Sequence, residues 1–371
     1  MEEMKVTPWE VTGDIDYDRL MKEFGIEPFA KFSKALPDNI LFRRGTVYGQ
    51  RDFQRIADCI KNKKEFVMMT GLMPSGKFHF GHKSVVDQIV YYQSLGAKIY
   101  IAVADIEAYN TRIPDMKELR RIAVEEYLLN YIALGLKPQN CDFYFQSARS
   151  NDAKKANAYY KLAGMCARHV TFNEMRAVYG EISPGKMTSS LLQSADMLHT
   201  QLPEFGGPRP TLVPVGFDQD PHIRLARDIS QRIKEFDFIQ LSSTYHKFAI
   251  GLKGGKMSSS DPTSYVALTD TPEESAEKIR KHAFSGGRAT AAEQKKLGAN
   301  PDIDVSYQWL KEFFEQDDKK LKQIYDDYKG GKLLTGELKG ILIEKVTAFL
   351  KEHQRKREQA RKMVDKFLKA D

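Results

Sequence analysis

Two stretches hold residues whose types and spacing could do chemistry on a phosphate. The first is Gly71-Leu72-Met73-Pro74-Ser75-Gly76-Lys77-Phe78-His79-Phe80-Gly81-His82. It joins the apolar run Phe66-Val67-Met68-Met69 to a segment that begins near Lys83 and carries Val85, Val86, Ile89 and Val90 at helical spacing. A strand that feeds a helix through a Gly/Pro/Ser turn leaves the first helical amides unpaired, and the helix dipole favours an anion there. His79 and His82 can both reach one side of the turn, and Gly81 between them lets a flat ring lie close to the backbone. The second stretch is Gly254-Gly255-Lys256-Met257-Ser258-Ser259-Ser260, a glycine pair, a lysine and three hydroxyls, which is the composition of a mobile basic loop suited to polyphosphate. Either string alone is weak, since two histidines near a helix start are equally compatible with solvated surface residues. A near copy, Lys186-Met187-Thr188-Ser189-Ser190, lies in a stretch read as a loop from Gly180 to Ser190. That copy runs directly into an apolar helical segment, whereas Lys256 follows two glycines and its loop ends at Asp261-Pro262, so Lys256 is expected to be the working lysine.

The elements that must position these residues follow from hydrophobic spacing. Short apolar runs alternate with helical patterns: a strand at Phe66 to Thr70, a helix from Lys83 to Leu95, a strand from Lys98 to Ala104, a long amphipathic helix from Asp115 to Ala133, and a strand from Cys141 to Gln146. Such alternation is the mark of a parallel sheet with helical crossovers. Asn151 to Phe172 reads as helix, and Leu212 to Gly216 with Ile223 to Lys234 forms another strand, turn and helix. Open sheets of this kind bind ligands at the carboxyl ends of their strands. There the chain places Asp105 and Glu107 after one strand, and Asp218, Gln219 and Asp220 after another. Glu107 is a candidate for a substrate ammonium, and spacing alone leaves it open to being a capping or surface acid. From Thr271 onward the chain is charged and helical, starting with the cap Thr271-Pro272-Glu273-Glu274. The expected organisation is a lead-in at 1–64, a catalytic domain at 65–268 with a helical insertion at about 110–205, and an all-helical carboxyl-terminal domain at 269–371. In the lead-in, Arg43 and Arg44 read as solvated charges, with a turn at Tyr48-Gly49-Gln50. The run His353-Gln354-Arg355-Lys356-Arg357 reads as a solvated helix face or a phosphate-binding surface.

Composition excludes several classes. The 371 residues are 42% hydrophobic and 29% charged, an ordinary globular balance with room for two domains. The net charge of +7 and pI near 9.0 are compatible with a nucleic-acid partner and common among other proteins. Cys59, Cys141 and Cys166 form no close pair, so neither a disulfide framework nor a cysteine zinc cluster is expected, nor any other protein-held structural metal. The amino terminus lacks a signal-peptide core, and no apolar run approaches the ~20 residues of a membrane helix, so a soluble cytoplasmic protein without membrane contact is expected.

The two phosphate strings, in this order and separation, resemble the paired signatures of class I aminoacyl-tRNA synthetases. Thr7-Pro8-Trp9-Glu10-Val11, Ile15-Asp16-Tyr17-Asp18, Phe42-Arg43-Arg44-Gly45, Asp218-Gln219-Asp220-Pro221, Ser285-Gly286-Gly287-Arg288, Trp309 to Phe314 and Phe349 to Gln354 extend the likeness over nearly the whole chain. Together they resemble the tryptophanyl-tRNA synthetases of archaeal and eukaryotic type. The resemblance implies an α/β fold, a Rossmann-like parallel-sheet catalytic domain followed by a helical anticodon-binding domain. It implies a homodimer acting on L-tryptophan, ATP with Mg2+, and tRNA(Trp).

By the same resemblance His79 and His82 donate to phosphate oxygens, while Lys256, Ser258 and Ser259 close over the leaving pyrophosphate. Gly71, Gly81, Gly216 and Met257 flank the nucleotide and Asp218 binds the ribose. Gln219, Gln193 and Glu107 hold the substrate ammonium. Met69 stands where eukaryotic relatives and tyrosyl enzymes have a tyrosine, so a polar contact is lost. Asp196 stands where bacterial tryptophanyl enzymes carry an aspartate that accepts the indole N–H; indole only donates, so a pocket that selects it needs an acceptor. Tyrosyl enzymes share the fold, both signatures and an aspartate at this place, and remain an alternative. Small adenylyltransferases share the histidine string but lack the Lys256 loop and the basic helical appendage. A non-catalytic synthetase-like RNA-binding protein is the third reading, and the filled catalytic positions speak against it.

Overall fold

The computed structural model describes residues 5–6, 11–12 and 16–368. The string Thr7-Pro8-Trp9-Glu10 and Ile15 lie outside the described residues. Seven strands form one sheet: β1 (Glu27–Pro28), β2 (Val47–Arg51), β3 (Val67–Leu72), β4 (Lys98–Val103), β5 (Cys141–Phe145), β6 (Thr211–Gly216) and β7 (Ser242–His246). Their spatial order is β1-β2-β7-β6-β3-β4-β5. The five strands from β7 to β5 run parallel, whereas β1 and β2 join antiparallel at one edge. This is the doubly wound order of a Rossmann-like fold. Its strand order reverses between β3 and β6, and ligands of such sheets bind in the crevice opened there.

Three of these strands were not foreseen, the two-residue edge strand β1 among them. Tyr48-Gly49-Gln50, expected as a turn, is the middle of β2, paired with β7 and bulged between Val47 and Gly49. β7 is the sequence Ser-Ser-Thr-Tyr-His, fully buried despite its hydroxyls. Its backbone is satisfied by β2 and β6 on either side, which removes the cost that would keep such a string at the surface.

Most helices sit near where the apolar spacing placed them, but a short helix, Asp105–Thr111, follows β4 unforeseen, and the stretch read as helix to Phe172 ends at Cys166 and restarts as Phe172–Tyr179 after the Thr171 cap. Three further differences bear on the site. The Phe80–Ser94 helix starts three residues before Lys83 because His79 caps it. The amphipathic stretch beginning after the Asp115 cap is continuous to Ala133 but carries a π-helical turn at Ala123–Leu128. The interval expected as a loop from Gly180 to Ser190 is helical from Pro184 to Leu198: Ser183 accepts from the Lys186 amide and Pro184 occupies the first turn, where its missing N–H costs nothing. The lysine-hydroxyl copy at Lys186 is therefore the first turns of a helix. Lys186 itself points back to the Glu181 carbonyl.

Beyond Thr271, whose hydroxyl and Glu274 form a reciprocal cap, the described chain is helical and packs onto the sheet domain. The ring of Phe80, inside the histidine string, lies 5.2–5.5 Å from Trp309, Phe313, Phe314 and Phe349. Trp309 also donates its indole N–H to the Ile250 carbonyl at 2.7 Å, at the root of the second phosphate string. Arg43 and Arg44 are not simply solvated: both pair with Asp318 of the helical region, at 2.8 and 2.6 Å. The basic run at 353–357 is likewise turned partly inward. His353 is buried against Asn130 at 2.7 Å, Gln354 donates to the Asp270 carbonyl, and Arg357 reaches the Glu125 carbonyl. Arg355 and Lys356 both pair with their helix neighbour Glu352 at the exposed face.

Candidate active site

The histidine string begins as the carboxyl end of β3. The backbone then turns through Pro74 and Gly76, which sits in the left-handed region at φ 86°, and enters the Phe80–Ser94 helix. The two histidines cap that helix reciprocally. His79 Nδ1 accepts from the Gly81 amide and His82 Nδ1 accepts from the His79 amide, each at 3.2 Å. With both Nδ1 atoms accepting, each ring carries its proton on Nε2. The rings stack at 3.9 Å between centroids. Burial, and for His79 also the neighbouring ring, lowers their basicity, His82 to about 4, so both are neutral near pH 7. Each is thus fixed as a neutral Nε2–H donor, and His79 Nε2 meets Ser259 Oγ at 3.0 Å. Gly81 packs closely against the capping ring: an added Cβ would lie 3.0 Å from the His79 ring, which would have to give way by a few tenths of an ångström.

The second string curls back over this turn. Met257 Sδ accepts from the Gly81 amide at 3.2 Å, and Lys256 pairs with Ile250 in a bridge that closes the loop's root. Lys256 Nζ lies 3.0 Å from Asp218 and 4.0 Å from the centre of the Phe248 ring. Gly216, at the end of β6, lies beneath both partners, since a Cβ there would come within 2.7 Å of Asp218 and 2.9 Å of Phe248. Ser258 bonds to Ser260 rather than to the histidines.

Two cavities meet here. One, of about 340 Å³, lies at the point where the strand order reverses and is lined by residues of β3 and β6 and by Met69, Gly71, Glu107, Gln193, Asp196, Gly216 and Gln219. The other, of about 400 Å³, is lined by His79, Gly81, His82, Lys256, Met257, Ser258 and Ser259. Of the site residues that the resemblance implies, only Asp218 lines neither; it is held against Lys256. Arg112 and His246 line both cavities. Neither was singled out from sequence, because each lies outside a recognisable string.

The inner cavity is organised around Asp196, which is 2% exposed. Its Oδ1 accepts the hydroxyls of Tyr144 at 2.7 Å and Tyr159 at 2.8 Å, and its Oδ2 accepts the Gln146 amide at 2.7 Å. Burial raises this carboxyl to about 6, against the pull of those three donors. Glu107 is raised further, to about 7, by burial and by the charge of Asp196, with Arg112 opposing. Gln193 Oε1 is buried with no partner among the described residues, an acceptor left for a ligand. Tyr144, Tyr159 and Gln146 were missed by sequence reading: they come from β5, the Ala153–Cys166 helix and the residue after β5, 37–52 positions from Asp196. Among the described residues no group of three or more His, Cys, Asp or Glu is placed to hold a metal ion, and no helix is long and apolar enough to cross a membrane.

The arrangement pairs a chamber of amino-acid size, holding buried carboxylates and a free amide oxygen, with a chamber of N–H, hydroxyl and ammonium donors. Comparison with known proteins agrees with that chemistry. The profile of the family "tRNA synthetases class I (W and Y)" matches residues 61–351. The tryptophan–tRNA ligases of Aeropyrum pernix and Methanocaldococcus jannaschii are each 44% identical to this chain, over 98% and 99% of both lengths respectively. The crystal structure of the Aeropyrum pernix tryptophanyl-tRNA synthetase superposes with a TM-score of 0.90 at 45% identity, covering 95% of this chain and 96% of that one. The Encephalitozoon cuniculi tryptophanyl-tRNA synthetase bound to tryptophan superposes at 0.82 with 26% identity, covering 95% and 98%. The chain belongs to the class I tRNA synthetases of the tryptophan and tyrosine group.

Proposed function

We propose that this class I synthetase is a tryptophan–tRNA ligase, which activates L-tryptophan with ATP and transfers it to tRNA(Trp). The reading rests on one observation above the rest: the inner chamber, with Asp196 at its floor, opens at Arg112 and His246 onto the chamber of phosphate donors. In that arrangement the indole N–H points to the free lone pair of Asp196 Oδ2, and the ammonium lies among Glu107, Gln193 and Gln219. Met69 contributes an apolar wall. The substrate carboxylate then faces the junction, where it attacks the α-phosphate of ATP in line as pyrophosphate leaves. This chain's task is to hold the reactants and to meet growing charge on the phosphates. The Nε2–H groups of His79 and His82 point at those oxygens without needing a proton first. Lys256 leaves Asp218 as the ribose hydroxyls take its place, and with Ser258 and Ser259 closes over the pyrophosphate. Gly71, Gly81, Gly216 and Met257 let the nucleoside lie flat against the backbone. Mg2+ accompanies ATP rather than occupying a protein cage.

In the second step a terminal ribose hydroxyl of the tRNA attacks the adenylate. The helical region at 269–371 serves as the anticodon-binding domain of this reading, and 65–268 as its catalytic domain with the lead-in packed against it. A homodimer at work in the cytoplasm completes the proposal; light scattering of the purified protein tests the dimer. The activity is tested by amino-acid-dependent ATP–pyrophosphate exchange with tryptophan, tyrosine and phenylalanine. Exchange with tryptophan alone is expected. Exchange with tyrosine would overturn the substrate, and no exchange alongside tRNA binding would favour a non-catalytic RNA-binding protein.

A further inference from the structure

Behind Asp196, on the side away from the cavity, lies a buried cation that the reaction does not use. Arg149 is 1% exposed. It pairs with Asp142 at 2.9 Å through Nη2. Its Nε and Nη2 lie 3.0 and 2.9 Å from His199 Nε2, and its guanidinium carbon lies 3.9 Å from the centre of the Tyr144 ring and 4.6 Å from that of Phe205. A guanidinium can only donate, so His199 Nε2 accepts and the imidazole proton sits on Nδ1. That Nδ1 lies 3.0 Å from the Ala195 carbonyl and 2.9 Å from the Asp196 carbonyl, in the last turn of the Pro184–Leu198 helix.

One flat cation therefore touches both groups that fix Asp196 from behind. Tyr144, under its face, donates to the carboxylate; His199, at its edge, donates to the Asp196 main-chain carbonyl. Arg149 also ends the short segment that carries Gln146, the third donor to the carboxylate. Neither Arg149 nor His199 nor Tyr144 lines the cavity, so whatever the cation does for a ligand it does through Asp196. A hydrophobic core of this size has no need of a charge whose burial alone costs several kcal/mol. We infer that Arg149 is a positioning residue for indole recognition: it aims the Asp196 carboxylate at the substrate N–H by gripping Tyr144 and His199.

The inference rests on the proposed tryptophan activity. It is tested by exchange kinetics with tryptophan and with 3-(benzothiophen-3-yl)alanine, in which sulfur replaces the indole N–H. The wild type, Arg149→Met, Arg149→Lys and Asp196→Asn are compared. A pocket built around a hydrogen bond discriminates strongly against an analogue that lacks the donor. Arg149→Met is expected to lower the tryptophan-to-analogue ratio of kcat/KM by about tenfold or more, mainly through the KM for tryptophan, and Arg149→Lys by roughly threefold, the charge being kept and the flat face lost. Should the methionine variant fail to fold, the lysine variant carries the test. An unchanged ratio, or an equal loss for both substrates, overturns the inference, since a merely structural arginine cannot tell the two apart. Absence of exchange by the wild type would instead sink the proposed function and the inference with it. An unchanged ratio in Asp196→Asn would remove the acceptor on which both depend.

Discussion

Replacing Asp196 by asparagine should separate tryptophan binding from stability. In the folded chain Oδ1 is saturated by Tyr144 and Tyr159, while Oδ2 has one donor, Gln146, and one lone pair free toward the cavity. An amide in place of the carboxylate keeps its oxygen for the two tyrosines and turns an NH2 toward Gln146. Two donors would then face each other, but Gln146 Oε1 is buried without a partner among the described residues, so a half-turn of its amide restores the bond. Toward the substrate the change cannot be absorbed: an N–H now faces the indole N–H. The loss is that of a charge-assisted hydrogen bond, ~1.5–3 kcal/mol, or roughly a 10- to 150-fold rise in the KM for tryptophan. Stability should move the other way. A carboxyl held at about 6, where an exposed aspartate has 3.8, is raised on folding. Its ionised form therefore opposes folding as pH climbs from the lower value through the higher, by roughly 3 kcal/mol at pH 7. Removing that charge should leave Tm unchanged or higher. Exchange kinetics and a thermal melt on the same preparation decide: a KM within twofold of wild type, or a melt that collapses while KM is kept, would refute the geometry argued for Asp196.

Other perturbations read other parts of the site. In the proposed function Glu107, at about 7, and Asp196, at about 6, take the ammonium and the indole in their ionised forms, so kcat/KM for tryptophan should fall below pH 7 and more steeply below pH 6. The two apparent values belong to the coupled pair, and Glu107→Gln should leave a single step and a weaker enzyme; a flat profile from pH 5 to 8 would contradict this. His79→Ala should lose the helix cap, ~1 kcal/mol, and a phosphate donor, roughly 100-fold or more in kcat, whereas His79→Asn should regain the cap and the Tm but not the rate. Trp309→Phe leaves the Ile250 carbonyl without its donor and should lower the denaturant midpoint by the equivalent of ~1–3 kcal/mol, with faster protease cleavage near Gly254-Gly255; an unchanged midpoint and cleavage rate would show that the bond does not secure the loop.

What could be read from sequence was what repeats locally. The β3 turn and its helix announced themselves by an apolar run, a glycine-rich turn and 3.6-residue spacing, and Thr271-Pro272-Glu273-Glu274 announced its helix by cap chemistry alone. β7 was invisible because a strand flanked on both sides needs no apolar alternation, and its five residues are polar or aromatic by composition. The string at Lys186, set aside in favour of Lys256, was still read as loop because lysine followed by hydroxyls is also good helix-start chemistry once Ser183 and Pro184 precede it. Asp196 could be singled out, but Tyr144, Gln146 and Tyr159 could not, for nothing in a linear pattern says which strand end and which helix face will converge on one carboxylate. Arg112 and His246 escaped for the same reason: their place at the junction of two cavities is a property of the sheet's crossing order, not of their neighbours in the chain.

The contact of Phe80 with the helices beyond Thr271 bears on how this protein can be cut or recombined. A fragment ending before Trp309 would bare the ring in the middle of the histidine string and strip it of four aromatic neighbours, in addition to leaving the Ile250 carbonyl unmet. A cut near residue 270, where the composition changes, would sever these contacts as well. Grafting a foreign helical region onto residues 65–268 would require carrying over the aromatic nest as well, or accepting a nucleotide turn whose central side chain stands in water.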